Sequence, residues 1–324
     1  MKIISKKIIY PILSAFLVFS AVGCNKEDTS KEAAPQKTES SSEEATTKDL
    51  YTFDNNDYFT SVDWLKKNMG KDVIILDARS DKDYAKGHIP GAINVAWQSL
   101  SKVSGKPGDK DWGTLLDPKE LSAEFRKLGI KKDSKVVVYG NKSAWGEDGR
   151  LVWSLKRAGI DARMLNGGYD LWTADKLETT KEVPKPEESD LVLTAVSPDA
   201  NITTEELKKD YDQYKIIDVR EKEEYDGATK YGEARGGHLP NAINITFNQL
   251  YNEDGTIKSS KEIEKILEKA GIKKDDRIVT YCTAGIRSAH MTLALENAGY
   301  KNVQNYDASF YEWAGDEVNK LEKK

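Results

Sequence analysis

The sequence holds two cysteines, Cys24 and Cys282, and the second lies in a stretch patterned for chemistry. It sits in Tyr281-Cys282-Thr283-Ala284-Gly285-Ile286-Arg287-Ser288, between the apolar run Ile278–Tyr281 and a helical stretch reaching Asn297. A nucleophile placed after a strand and before a helix stands where open α/β sheets bind ligands. The residues from Cys282 to Arg287 are enough to curl, so that the N–H groups of Thr283, Ala284, Gly285 and Ile286 converge on the sulfur. Gly285 admits backbone geometry that a side chain would forbid. Converging N–H groups, a helix N-terminus and Arg287 all favour negative charge there. A free thiol titrates near ~8.5, and such surroundings lower it, which makes thiolate available at neutral pH. The same cradle would stabilise a persulfide anion.

The competing chemistry is phosphoryl transfer. Cysteine phosphatases place five residues between Cys and Arg, whereas four separate Cys282 from Arg287, and no general acid is evident for a phosphate leaving group. The smaller ring suits a single sulfur atom.

The elements that position this loop occur twice. Val73-Ile74-Ile75-Leu76-Asp77-Ala78-Arg79 returns as Tyr214-Lys215-Ile216-Ile217-Asp218-Val219-Arg220, and Gly87-His88-Ile89-Pro90 returns as Gly237-His238-Leu239-Pro240. Leu128-Gly129-Ile130 returns as Ala270-Gly271-Ile272. The offset is 141 at Asp77/Asp218 and 150 at His88/His238, so about nine residues are inserted before His238. A period this long means duplicated domains. Val73–Leu76, Val136–Tyr139, Ile216–Ile217 and Ile278–Tyr281 read as buried parallel strands, and Lys119–Leu128 and Lys261–Ala270 read as helices stopped by Gly. Strand–helix alternation predicts an α/β class, each repeat a mostly parallel sheet flanked by helices.

Asp-x-Arg after a strand, then Gly-His-[Ile/Leu]-Pro-x-Ala-Ile-Asn, then a strand ending in a Cys loop, resembles the rhodanese family in tandem-domain form. The resemblance covers roughly residues 58–315. It implies two rhodanese-like domains, residues 51–178 without catalysis and 201–324 with it, joined by a linker at 179–200. Val138-Tyr139-Gly140 aligns with Thr280-Tyr281-Cys282, so the first copy has no sulfur-carrying residue. The implied activity is sulfur transfer through a Cys282 persulfide, from a small anionic donor to a thiol or cyanide-like acceptor. Thiosulfate is preferred over 3-mercaptopyruvate, because Arg287 stands where the mercaptopyruvate enzymes carry a hydroxyl. A persulfide-holding relay with little turnover is the alternative.

The resemblance also implies that Asp218, Asp77 and Arg79 are structural, and that Arg220 and above all Arg235 help Arg287 bind the donor. His88 and His238 lie in the repeated turn and are expected to bond to backbone, while His290 has no assigned role. Trp172 and Trp313, repeated at an offset of 141, are expected to pack. No metal-ligand spacing occurs and no cofactor is implied.

Residues 1–23 read as a lipoprotein signal peptide: Lys2, Lys6 and Lys7 precede the apolar run Ile8–Val22, then Gly23 and an acylatable Cys24. Residues 24–50, rich in Ser, Thr, Glu and Lys, read as a disordered tether. The expectation is an exported protein, anchored by lipid to the outer face of a bacterial cell membrane and touching the membrane only there. Without the signal the chain keeps 46 basic against 54 acidic residues, and no basic stripe invites nucleic acid.

Overall fold

Runs of aliphatic residues followed by Asp or Tyr build the centre of each repeat. The computed structural model describes residues 51–52 and 55–323; the expectations for residues 1–50, including Cys24, lie outside them. The first repeat runs β1 (Phe59–Thr60), α1 (Val62–Asn68), β2 (Val73–Asp77), α2 (Asp81–Lys86), β3 (Ala92–Asn94), α3 (Pro118–Lys127), β4 (Lys135–Tyr139), α4 (Glu147–Arg157), β5 (Asp161–Leu165) and α5 (Gly168–Ala174). The second runs β6 (Asn201–Ile202), α6 (Thr204–Lys209), β7 (Tyr214–Asp218), α7 (Lys222–Asp226), β8 (Ile243–Asn244), α8 (Ser260–Lys269), β9 (Arg277–Tyr281), α9 (Ile286–Asn297), β10 (Val303–Tyr306) and α10 (Ser309–Gly315).

The sheets have matching orders, β1-β5-β4-β2-β3 and β6-β10-β9-β7-β8, with every strand pair parallel. Register repeats too: Asp77 lies beside Tyr139, and Asp218 beside Tyr281. This is the predicted α/β class, two tandem rhodanese-like domains with helices flanking each sheet. Short polar signals start the helices. Asp117 caps α3 ahead of Pro118, and Ser259 with Glu262 forms a capping box on α8. Helix α9 is buried along Ile286–Leu295 and, like α4 and α5, starts at a left-handed glycine with no side-chain cap. Its first turn is left open beneath the Cys282 loop.

The halves share a core. One apolar cluster contains Leu151, Val152 and Leu155 of α4 with Ala289, Met291 and Leu293 of α9. The segment between the repeats is strapped along the first one. Leu191 and Leu193 are buried, and the N–H groups of Ser189 and Leu193 donate to Arg126 O and Ser122 Oγ.

Candidate active site

Cys282 follows β9, the middle strand of its sheet, and the chain turns through Gly285 into α9. Gly285 is left-handed, φ 81°. A Cβ there would lie 2.3 Å from Asp307 O, so only glycine fits. The turn brings the Gly285 N–H within 3.1 Å of Cys282 Sγ, and Ser288 Oγ donates to the sulfur from 3.6 Å. The Cys282 N–H donates to Ser309 Oγ at 3.0 Å. Burial raises the thiol pKa, but the Arg287 guanidinium, the Ser288 N–H and hydroxyl and the Ala284 N–H outweigh it, and the net shift is downward. A thiolate at Cys282, a residue only 1% exposed, is therefore supported by the Arg287 charge and by hydrogen-bond donors rather than by water.

Arg287 does not offer the free charge expected of it. Its Nη1 and Nη2 donate to the two carboxylate oxygens of Glu224 at 2.7 and 2.8 Å. Nη2 also reaches Thr283 Oγ1 at 2.7 Å, and Thr283 donates to Glu224 at 2.9 Å. Burial alone would raise the Glu224 pKa; Arg287 and Thr283 reverse that and hold it ionised. The guanidinium lies 4.8 Å from the Trp145 ring centroid. Its charge biases Cys282, while most of its reach outward is cancelled by Glu224.

The loop opens into a cavity of about 200 Å³ built from both repeats. Trp97, Trp112, Trp145 and Glu147 come from the first; Tyr231, Thr283, Ala284, Ile286, Arg287 and Tyr311 come from the second. Trp145 gets there because the first repeat spans Gly140 to the helix-capping Gly146 where the second needs only Cys282 to Gly285. The extra residues reach across to the neighbouring site. A buried ion pair braces the back of the loop. Arg150 of α4 bonds Asp307 Oδ1 and also Ser101 Oγ and Gly113 O, while Asp307 Oδ2 accepts the Leu115 N–H at 2.9 Å.

Two predicted donor-binding arginines lie elsewhere. Arg235 is turned away from the pocket: its guanidinium donates to Ala314, Trp313, Asn319 and Asp316 carbonyls, which end α10 and its following turn. Orphan carbonyls at a helix C-terminus attract a cation strongly, and Arg235 answers that need. Arg220 is fully buried, bidentate to Asp218 with Nη2 on Gly237 O at 2.7 Å. Tyr281 Oη donates to Asp218 at 2.5 Å, and the Leu239 N–H donates to Tyr281 Oη. Asp77, Arg79, Tyr139, Gly87 and Ile89 repeat this arrangement, which ties strand ends to the Gly-His-Leu/Ile-Pro turn. Arg220 is therefore structural.

His238 and His88 stack on Tyr225 and Tyr84 and bond their carbonyls, as expected. Trp172 and Trp313 are buried, each indole N–H on a main-chain oxygen. His290 bonds Tyr251 Oη and sets Nδ1 3.0 Å from Asp148 Oδ1. Asp148 packs against the first-repeat counterpart of the cysteine: a Cβ on Gly140 would lie 3.2 Å from its Oδ2. Sequence reasoning missed Glu224, the aromatic walls and Arg150. A buried Arg needs a buried partner, but only the fold says which acid supplies it.

The rhodanese-like domain profile matches residues 61–175 and 203–316. The thiosulfate sulfurtransferase of Corynebacterium glutamicum is 31% identical over 268 residues, 78% of this chain and 86% of that protein. The sulfur carrier protein TtuD of Thermus thermophilus is 33% identical over 270 residues, 78% of this chain and 92% of that protein. Among solved structures, SseA from Escherichia coli, of the 3-mercaptopyruvate sulfotransferases, superposes with a TM-score of 0.68 at 26% identity, covering 77% of this chain and 97% of SseA. EanB, solved with hercynine, gives 0.68 at 26% identity, but this chain spans only 63% of it. With both repeats matched and a cysteine loop at the end of the second central strand, the chain belongs to the rhodanese-like family, as a tandem-domain sulfurtransferase of rhodanese type.

Proposed function

We propose that Cys282 carries the transferred sulfur as a persulfide, with thiosulfate as donor. The observation that carries this is the thiolate-favouring cradle around Sγ, formed by the Gly285 N–H, Ser288 Oγ and Arg287. The thiolate attacks the outer sulfur of thiosulfate; the S–S bond of the donor breaks and sulfite leaves with its electron pair. A thiol, or cyanide in assays, then takes the sulfur and restores the thiolate. The Corynebacterium relative's activity supports thiosulfate. Incubating the protein with thiosulfate and weighing it intact should show a gain of one sulfur atom, absent in Cys282→Ser. A Ser variant with near-native turnover would overturn the assignment.

A second donor is favoured by one observation. With Glu224 cancelling Arg287, a compact dianion gains little from the pocket, and a larger organic donor such as 3-mercaptopyruvate gains from its aromatic walls. Comparing kcat/KM for the two donors decides. A tenfold preference for 3-mercaptopyruvate, ~1.4 kcal/mol, would displace thiosulfate and keep the persulfide.

The same proposal extends to placement: export, processing before Cys24 and acylation of that cysteine, supported by the Lys-rich start and apolar run of residues 1–23. Cys24→Ala should lose the acyl mass. Native protein in the cytoplasm with Met1 intact would refute it.

A further inference from the structure

The cavity beside Cys282 is walled by crossed rings. Trp112 meets Tyr311 at 5.4 Å between centroids with planes at 88°, and Trp145 meets Tyr231 at 5.4 Å and 81°. Crossed planes line a space with ring faces as well as edges, and a face carries the negative side of the quadrupole. The charges around the rings have the same sign. Among the described residues that line this cavity Arg287 is the only cation, and Glu224 neutralises it. Glu147 lines the wall, its Oε2 accepting the Trp145 N–H at 2.8 Å.

Burial is the main cause that raises the Tyr231 and Tyr311 phenols, and the charge of nearby Glu233 adds to it at both. Its Oε2 accepts the Tyr231 N–H at 2.8 Å; its Oε1 is buried with no partner among the described residues, in a side chain only 6% exposed. Lys230, the other cation near Tyr231, is turned to Glu223 at 3.6 Å. The box therefore lacks an uncompensated cation: Arg287, 4.8 Å from the Trp145 ring centroid, is held by Glu224.

We infer that this box seats the sulfur acceptor, and that the acceptor is a small organic thiol bearing an ammonium group. The cation lies against Trp145, Tyr231 and Tyr311 while the thiolate end reaches the persulfide; the inference rests on the persulfide reading above. The acceptor thiolate attacks the outer sulfur of Cys282–S–SH and a new S–S bond forms. The Sγ–S bond breaks with its electron pair passing to Sγ, and the proton stays on the transferred sulfur. Cys282 thiolate and the acceptor persulfide result, with no outside oxidant.

The test uses protein loaded from thiosulfate, freed of excess donor and weighed intact. Its persulfide is then discharged by cysteamine or by 3-mercaptopropionate, thiols with opposite terminal charges, with rates compared per mole of thiolate. Cysteamine should be at least fivefold faster, and the ratio should fall toward one with rising salt. Glu233→Gln, which keeps an acceptor for the Tyr231 N–H, and Trp145→Leu, at a 43% exposed site, should each lower the ratio. Equal rates, faster discharge by the carboxylate, or a ratio unmoved in both variants would overturn the inference. A protein that gains no sulfur mass would instead remove the persulfide reading, before either thiol is added, and this inference with it.

Discussion

Glu224→Gln should make the enzyme better at using thiosulfate, the opposite of what losing a buried active-site charge usually does. Glu224 is fully buried and holds Arg287 through two bonds, so its charge opposes an incoming dianion with little solvent screening. At roughly 8 Å and an effective dielectric of about 20, one unit of charge acts on another with about 2 kcal/mol. Water at the pocket mouth reduces this, leaving about 1–2 kcal/mol, or about five- to thirtyfold in kcat/KM. The amide can still accept from Arg287 and Thr283, so stability should fall by about 1–3 kcal/mol rather than the roughly 3–5 of a broken buried pair. Steady-state kinetics with thiosulfate across a salt series, with Tm alongside, measure both effects. The gain should shrink as salt rises. A folded variant that loads sulfur with kcat/KM at or below native would refute the claim that Glu224 suppresses the field of Arg287.

Arg287→Gln should move the pH profile of sulfur loading upward, because Arg287 is the leading cause that lowers the Cys282 pKa and the reactive thiolate is lost below that pKa. Gly140→Cys in a Cys282→Ser background should carry no persulfide by mass, since the new thiol would abut the Asp148 carboxylate, which disfavours thiolate. Arg150→Ala should cost about 3–5 kcal/mol in denaturant unfolding by leaving Asp307 buried and unpaired. Burial pushes Glu296 up to about 7 from 4.5, so the folded state holds its proton between those values and stability is lost as pH rises through that window. Glu296→Gln should therefore gain about 2 kcal/mol at pH 8 and nothing near pH 4, as urea titrations at the two pH values would show.

The strands and helices were legible because local chemistry specifies them. Aliphatic runs such as Val136–Val138 are buried, and Lys119–Leu128 is helical to within one residue at each end. The proposed nucleophile was picked out for a similar reason: a cysteine, a glycine and an arginine at loop spacing. What Arg287 and Arg235 do was not, because a guanidinium answers whichever acceptors the fold brings near, and those lie 63 and about 80 positions away. By itself, then, the sequence determined two α/β repeats and the thiol between strand and helix, since both depend on residues close along the chain. Only the tertiary structure decided that Glu224 cancels Arg287, that Arg235 closes a helix end, and that the first repeat walls the pocket with Trp97, Trp112 and Trp145. Charge cancellation and cavity walls are set by distances between elements, and the packing of α4 on α9 fixes those distances.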